Sequence, residues 1–528
     1  MSFLDIRDLS VSIHGDPILT HVSLSVAPGQ ITGIIGESGS GKSMTALAIM
    51  RLLPRGAEIS GGIHFGDRDL AFATEAEMCD LRGDQIGMVF QEPMTALNPL
   101  QTIGTQVAET VRMHSGASAR EAARIARQTL DRVELPEPRF PLSLYPHELS
   151  GGQRQRVVIA MAIARRPKLL IADEPTTALD VTTQAQILTL IRRLVGEDGM
   201  GAIFITHDLA VVSDLADQIV IMRKGAVVEA GPTDRVFAEM THPYTRALFE
   251  ASSHQPPRIK SQGADPILSL RDVRRVYPGR RTGWVGRSDP VVAVDGVSFD
   301  LRRGENLGLV GESGCGKSTL TRAILGLDAI QGGEIRLDGD VIDARHPMTR
   351  AERAKMQVVF QDPYGSFNPR HKVGRLVAEP LHLLEAPPLG AARTTLIAEA
   401  LQAVGLRADD AQKYIHEFSG GQRQRIAIAR ALLIRPELII LDEAVSALDV
   451  QVRAQILDLL ADLSTRFGLS YLFISHDLHV VRNVTDRVLI MKAGRIVEGG
   501  ATEQVFTSPR DPYTKELIAA TPVLAQAG

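Results

Sequence analysis

Short apolar runs alternate with polar, glycine-rich turns along this chain, and the series occurs twice. In the first half the runs Ile31 to Ile35, Leu169 to Ala172 and Ala202 to Thr206 are each about one strand long. They lack the polar alternation of a half-exposed strand, so they read as buried parallel strands. The second half repeats them as Leu307 to Val310, Leu438 to Leu441 and Tyr471 to Ser475. Helix-forming runs follow the first strand of each set, Met44 to Leu52 and Thr319 to Leu327, and Val157 to Ala164 reads as a buried helix. Arg120 to Val133 carries a helical period with mixed charges on its outer face. Strands alternating with helices predict an α/β fold with a parallel-sheet core in each half. A small antiparallel β subdomain is expected first in each copy, over Leu4 to Ala27 and Leu268 to Arg302. A helical subdomain is expected over Thr102 to Leu149 and Val373 to Phe418.

The two halves keep register over long distances. Lys317 minus Lys42 is 275, Gln361 minus Gln91 is 270, and Ser419 minus Ser150, Asp442 minus Asp173 and His476 minus His207 are each 269. His242-Pro243-Tyr244-Thr245 returns as Asp511-Pro512-Tyr513-Thr514, again 269 later. A period this long marks duplicated domains rather than a solenoid. The domains are expected at 1–251 and 266–528, joined by the polar, proline-containing linker 252–265. Asp272 minus Asp8 is only 264, so the second copy holds 275 − 264 = 11 extra residues before its glycine loop. They fall in 278–290, a Gly-, Arg- and Pro-rich stretch that reads as an exposed loop.

Composition narrows the class. The chain has 528 residues, 44% of them hydrophobic, with net charge −4 and pI about 6.4. That balance carries no basic footprint for nucleic acid. No apolar run approaches the roughly 18 residues needed to span a bilayer, and Met1 to Ser10 has no signal-peptide core. The chain is therefore expected to be soluble and cytosolic. Its two cysteines, Cys79 and Cys315, cannot supply a metal framework.

The chemistry sits at the strand ends. Gly36-Glu37-Ser38-Gly39-Ser40-Gly41-Lys42-Ser43 and Gly311-Glu312-Ser313-Gly314-Cys315-Gly316-Lys317-Ser318-Thr319 each lie between a strand and a helix. That context defines a phosphate-binding loop. Glycines let backbone N–H groups converge on phosphate oxygens, and the helix N-terminus adds partial positive charge. Lys42 and Lys317 are expected to reach the β- and γ-phosphates, with Ser43 and Ser318 as Mg²⁺ ligands. The carboxylate pairs Asp173-Glu174 and Asp442-Glu443 close buried strands. Asp173 and Asp442 suit Mg²⁺, and Glu174 and Glu443 suit polarisation of an attacking water. One such pair alone could be a helix start, and one lone histidine is usually structural. The ordered series argues against both readings here.

Ser150-Gly151-Gly152-Gln153 and Ser419-Gly420-Gly421-Gln422 resemble the signature sequence of ATP-binding cassette (ABC) proteins. The resemblance covers essentially the whole chain. It implies that Gln91 and Gln361 are Q-loop residues near the metal and the γ-phosphate. His207 and His476 would be switch histidines, and Ala178-Leu179-Asp180 and Ala447-Leu448-Asp449 would be D-loops. Within the family each signature meets the nucleotide bound by the other domain, so two composite ATP sites are implied. The segments Gln91 to Pro99 and Gln361 to Pro369, with the HPYT and DPYT tails, resemble the dipeptide, oligopeptide and nickel importer group. That implies an ATP-hydrolysing, energy-coupling subunit at the cytoplasmic face of a bacterial inner membrane. Two separate transmembrane permease subunits and a periplasmic solute-binding protein would be its partners, and nucleic acid would not. Peptide is the leading cargo; nickel, opine, glutathione and sugar conjugates stay open, as does a soluble tandem cassette acting on ribosomes. Two departures from the group stand out. No cysteine occurs in Thr241 to Pro257 or Thr507 to Gly528, so no iron–sulfur cluster is expected. Tyr277 fits the family's adenine-stacking aromatic, but the first copy has Ile13 and His14 there.

Overall fold

The computed structural model describes residues 2–91, 93–177, 179–257, 265–279, 281–282, 286–287, 289–342, 347–362, 365–446, 448–522 and 524. Expectations resting on Glu92, Ala178, Pro363, Tyr364 and Ala447, on 258–264 of the linker and on part of 278–290 lie outside them. The chain divides into two compact units, one built on Met1–Leu179 and Thr183–Ser253, the other on His254–Thr521.

Each unit has a six-stranded sheet at its centre. In the first unit the order is Ala226–Pro232, Gln218–Arg223, Ile31–Ile35, Gly201–Ile205, Leu169–Asp173, Ile86–Val89. In the second it is Arg495–Ala501, Arg487–Lys492, Asn306–Val310, Ser470–Ser475, Leu438–Asp442, Met356–Val359. Neighbours pair parallel except for the terminal hairpin of each sheet. The Leu169–Asp173 and Gly201–Ile205 strands are buried at every position. One face packs under helices and the other against the antiparallel strands and the helix Lys42–Ile49, so both faces are covered and these strands read as continuous apolar runs. Each fully buried Ile or Leu contributes about 1.5–3 kcal/mol, so the sheet is a rigid platform for the loops at its carboxyl edge.

The antiparallel subdomain is larger than the sequence suggested. It holds four strands in each unit: Asp16–Val26, Leu4–Ile13, Ala57–Phe65 and Arg68–Asp69, then Val291–Arg302, Pro266–Tyr277, Gly332–Leu337 and Asp340–Ile342. The later strands were missed because glycines interrupt them. Gly61 and Gly333 take φ of +88° and +80° opposite Asp8 and Asp272, themselves at +53° and +47°. A Cβ on either glycine would stand 2.3 Å from the facing aspartate's carbonyl oxygen. The register of the pairing shifts at this point in both units, marking a shared bulge.

The helical subdomains differ. The first has two full helices, Ile103–Ser115 and Ala119–Arg132, with the side chains of Thr102 and Ser118 capping their N-termini. In the second, Val373–Val377 is one turn, a 3-10 segment follows at Glu379–Leu383, and a long helix spans Gly390–Ala403. Pro380, without an N–H to donate, stops the first helix early. Residues at positive φ repeat in register: Arg166 and Arg435, Glu174 and Glu443, Lys224 and Ala493, each pair 269 apart. The duplication thus extends to backbone conformations costly for side-chain-bearing residues.

Candidate functional site

Both glycine loops leave the end of a central strand and enter a helix, Lys42–Ile49 or Lys317–Ile324. Gly39 and Gly314 sit at φ of +79° and +82° with open space where a Cβ would be. Gly41 and Gly316 take φ of +102° and +113° at the helix N-cap. These values suit glycine alone and turn successive N–H groups inward. Lys42 and Lys317 are 6% and 5% exposed, so their charges need partners. Lys42 Nζ donates to Gly36 O and Glu37 O, both at 2.9 Å. Lys317 Nζ donates to Gly311 O at 2.6 Å and Glu312 O at 2.9 Å. Ser38, Gly39 and Ser43 are exposed, as are Ser313, Gly314 and Ser318, whereas Ser40 and Cys315 point inward. Thr319 is half-buried at the start of its helix. Ser40 Oγ is buried with no hydrogen-bond partner, and burial pushes the Cys315 thiol up, keeping it protonated.

The acidic pairs lie beside the loops. Ser43 Oγ donates to Asp173 Oδ1 at 3.1 Å. A hydroxyl and a carboxylate this close make an all-oxygen half-site of the kind Mg²⁺ takes with substrate phosphates. No cluster of three or more His, Cys, Asp and Glu side chains forms a metal site among the described residues. Burial pushes Asp173 up, partly offset by the bond from Ser43. Asp442 receives no matching bond from Ser318 among the described residues, and burial and the Glu443 charge outweigh the pull of Lys317 and Arg322 and push it to about 6.

Glu174 and Glu443 occupy the left-handed region, φ +45° and +51°, a conformation retained where the surroundings force it. Their N–H groups donate to Ile205 O (2.9 Å) and Ile474 O (2.8 Å), extending the strand pairing one residue beyond Asp173 and Asp442. Three side chains gather on the first carboxylate. Gln91 Nε2 and Thr177 Oγ1 both donate to Glu174 Oε2 at 2.9 Å, and His207 Nδ1 stands 3.4 Å from Oε1. Burial alone would raise Glu174, but the bonds from His207 and Thr177 and the charge of Lys42 hold it at about 2. In the second unit His476 Nδ1 lies 3.3 Å from Glu443 Oε1. Burial opposes ionisation there too, and His476 outweighs it, so Glu443 is lowered. His476 is raised in turn, burial being overcome by Glu443. Ser446 turns its hydroxyl to the Glu443 backbone carbonyl instead of the carboxylate, and Gln361 makes no bond matching that of Gln91 among the described residues.

Each signature starts a helix, Gly151–Ile163 and Gly420–Leu432. Ser150 and Gln153 close a reciprocal cap: Gln153 N–H donates to Ser150 Oγ at 3.4 Å, and Ser150 N–H donates to Gln153 Oε1 at 2.9 Å. Ser419 and Gln422 do the same at 3.4 and 3.1 Å. The two glycines differ in purpose. A Cβ on Gly152 would lie 2.3 Å from Thr183 Cγ2, and one on Gly421 2.3 Å from Val452 Cγ1. A Cβ on Gly420 would have nothing within 4 Å, and one on Gly151 would make only an ordinary contact with Leu179 Cδ2 at 3.6 Å, so both leave the helix start approachable. Arginines that sequence reasoning passed over fix this start in place. Arg154 donates to Pro146 O and Arg423 to Ile415 O; Arg156 donates to Val133 O and Arg425 to Val404 O. Their signal was the Gln-Arg-Gln-Arg repeat after both glycine pairs.

At the position compared with an adenine platform, Tyr277 ends the Pro266–Tyr277 strand. Its hydroxyl donates to Asp328 Oδ2 at 2.8 Å, and the Arg275 guanidinium covers one ring face at 4.5 Å. In the first unit His14 is exposed at φ +52°, its ring packed over Gly56.

A lysine-bearing glycine loop, an oxygen half-site and an ionised carboxylate at one sheet edge define a nucleoside-triphosphate hydrolase of the phosphate-loop class, present twice. Comparison with known proteins gives the family. A family model described as "ABC transporter" matches 19–177 and 294–446, and one described as "Oligopeptide/dipeptide transporter, C-terminal region" matches 228–270 and 497–528. The chain is 47% identical to the glutathione import ATP-binding protein GsiA of Salmonella paratyphi A, over 98% of this chain and 89% of that protein. It is also 47% identical to the peptidoglycan transport ATP-binding protein YejF of Agrobacterium fabrum, over 98% and 96%. The chain belongs to the ABC transporter family, as an ATP-binding and ATP-hydrolysing subunit with two cassettes. No helix among the described residues is long and apolar enough to cross a membrane.

Proposed function

We propose that this chain is the energy-coupling ATPase of a bacterial importer for small peptides or peptide-like conjugates. The observation that carries this reading is the pairing, in both units, of a complete loop-and-carboxylate site with a C-terminal region of the oligopeptide/dipeptide type. The names of its relatives, glutathione import and peptidoglycan transport, favour cargo of that chemistry.

In each site the loop N–H groups and Lys42 or Lys317 would cradle the triphosphate. Ser43, Asp173 and Gln91, or Ser318, Asp442 and Gln361, would hold Mg²⁺, which supplies charge neutralisation on the phosphate oxygens. Glu174 and Glu443 would orient the attacking water. A carboxyl held at about 2 stays ionised and accepts a hydrogen bond strongly, but it is a weak proton acceptor, so its work is orientation more than proton removal. His207 and His476 would leave their glutamates to meet the γ-phosphate. Ser150 to Gln153 would complete the site built on Lys317, and Ser419 to Gln422 the one built on Lys42, giving two composite sites. Tyr277 would stack on one adenine and Ile13 or His14 would pack on the other.

Two membrane-embedded permease chains and a periplasmic binding protein are the partners this reading requires, with the chain peripheral to the inner membrane. The test is ATP turnover by the chain assembled with its permease in liposomes. Binding protein loaded with a dipeptide, glutathione or a peptidoglycan tripeptide should stimulate it. Turnover indifferent to all three cargoes, but stimulated by nickel or an opine, would replace the peptide reading.

A further inference from the structure

The HPYT and DPYT segments lie far along the chain from the phosphate loops, yet in the structure each reaches back to one. Tyr244 is 4% exposed, and its hydroxyl accepts the Glu37 N–H at 3.1 Å. Tyr513, also 4% exposed, accepts the Glu312 N–H at 3.1 Å. The loop residue and the tyrosine are 207 and 201 positions apart, so only the folded unit brings them together.

The bonded peptide matters. The Glu37 N–H and the Gly36 carbonyl belong to one planar unit, and the Gly36 carbonyl is one of the two that hold Lys42 Nζ. The same holds for Glu312, Gly311 and Lys317. One side of the peptide bears the tyrosine hydroxyl and the other the ammonium.

The tyrosines are themselves anchored. Glu229 accepts from the Thr241 N–H at 2.8 Å, the His242 N–H at 3.2 Å and the Thr245 hydroxyl. Glu498 accepts from the Arg510 and Asp511 N–H groups at 2.9 and 3.1 Å. His242 Nδ1 and Asp511 Oδ1 then accept the Tyr244 and Tyr513 N–H groups, capping the helices Pro243–Ser252 and Pro512–Ala519. A cation covers each ring, Arg223 at 4.8 Å and Lys492 at 4.3 Å.

We infer that Tyr244 and Tyr513 are positioning residues for ATP: each hydroxyl fixes the peptide on which the loop lysine rests, and so ties the C-terminal segment to nucleotide affinity. This explains why the tyrosine recurs in a segment that ends each unit, where packing alone would accept phenylalanine. The inference rests on the reading of the loops as ATP sites. Phenylalanine keeps the ring and its cation and removes only the hydroxyl.

In the full chain, Tyr244→Phe and Tyr513→Phe together should raise KM for ATP roughly three- to tenfold, the effect of one hydrogen bond of modest net strength, with kcat little changed. Hydrogen exchange at the Glu37 and Glu312 amides should accelerate while Pro243–Ser252 and Pro512–Ala519 keep their protection, a split that general loosening would not produce. Tyr145→Phe, at an exposed tyrosine whose hydroxyl makes no bond to either loop among the described residues, should leave KM unchanged. Each single variant repeats the test in its own unit if the other folds poorly. Folded variants with wild-type KM and wild-type exchange at both amides overturn the inference alone. A wild-type chain that hydrolyses no ATP overturns the functional reading beneath it.

Discussion

Asp442 is held in a state that opposes its own charge, and this makes the second cassette's stability depend on pH. Burial and the neighbouring Glu443 push its carboxyl to about 6 from an ordinary 3.8. A carboxyl raised in the folded state favours folding while protonated, and that advantage is lost as pH rises from 3.8 through about 6. Above that range the folded protein carries the ionised form at a cost of about 3 kcal/mol, since each tenfold change in proton affinity is worth about 1.36 kcal/mol. Coupling to Glu443 reduces what a single substitution recovers, so about 1–3 kcal/mol is expected. Asp442→Asn removes the charge and keeps the shape. It should raise the second unit's melting temperature by roughly 2–4 °C per kcal/mol at pH 7.5, without nucleotide and with chelator present. At pH 4.5 about a third of the gain should remain. Asp173→Asn should gain less, because Ser43 already donates to that carboxylate. Mg²⁺ and ATP should erase the advantage by giving the native carboxylate its partner. The assay is differential scanning calorimetry with the two units' transitions fitted separately. A gain that ignores pH, or a loss of stability at pH 7.5, would refute the reasoning.

Three further outcomes are expected. Glu174→Gln and Glu443→Gln, made separately, should each cut coupled ATP turnover by at least about 100-fold if both sites must fire; one variant with unaltered turnover would assign the work to a single site. Gly152→Ala and Gly421→Ala place a methyl 2.3 Å from Thr183 or Val452 and should cost about 1–3 kcal/mol of unit stability, measured by urea unfolding, whereas Gly151→Ala and Gly420→Ala should be nearly neutral. Purified under anaerobic conditions, the chain should carry no stoichiometric iron, since neither cysteine lies in the C-terminal regions 228–270 and 497–528; an iron assay and a visible spectrum check this.

What could be read from the sequence was whatever local chemistry forces. A buried parallel strand must be apolar throughout, so the strands ending at Asp173 and Asp442 stood out. A loop that turns N–H groups inward needs glycine at set positions, so both phosphate loops did too. The strands Ala57–Phe65 and Gly332–Leu337 were hidden because their bulge glycines imitate turns. Partners set by long-range folding were also hidden, above all the tyrosine hydroxyl on the Glu37 and Glu312 amides. The order of motifs showed which residues gather at each site but not how unequally they do so.

That inequality follows from a few substitutions on an otherwise repeated backbone. Glu174 and Glu443 share the same strained φ and the same strand-extending hydrogen bond. The segment after them differs, Pro175-Thr176-Thr177 against Ala444-Val445-Ser446. Thr177 gives its hydroxyl to the carboxylate, while Ser446 gives its own to the backbone. Threonine's branched side chain has fewer rotamers open to it than serine's, so its hydroxyl is held more firmly in the rotamer that meets the carboxylate. With Gln91 added, the first glutamate is held by three side chains and the second by His476. A carboxylate with more donors costs more to free, so His207 and Gln91 should release Glu174 less readily than His476 releases Glu443 when nucleotide binds. Thr177→Ser tests this directly. It should raise the Glu174 carboxyl toward the ordinary range, detected by carbon NMR titration of labelled glutamate in nucleotide-free protein. An unmoved titration would locate the difference between the two sites elsewhere.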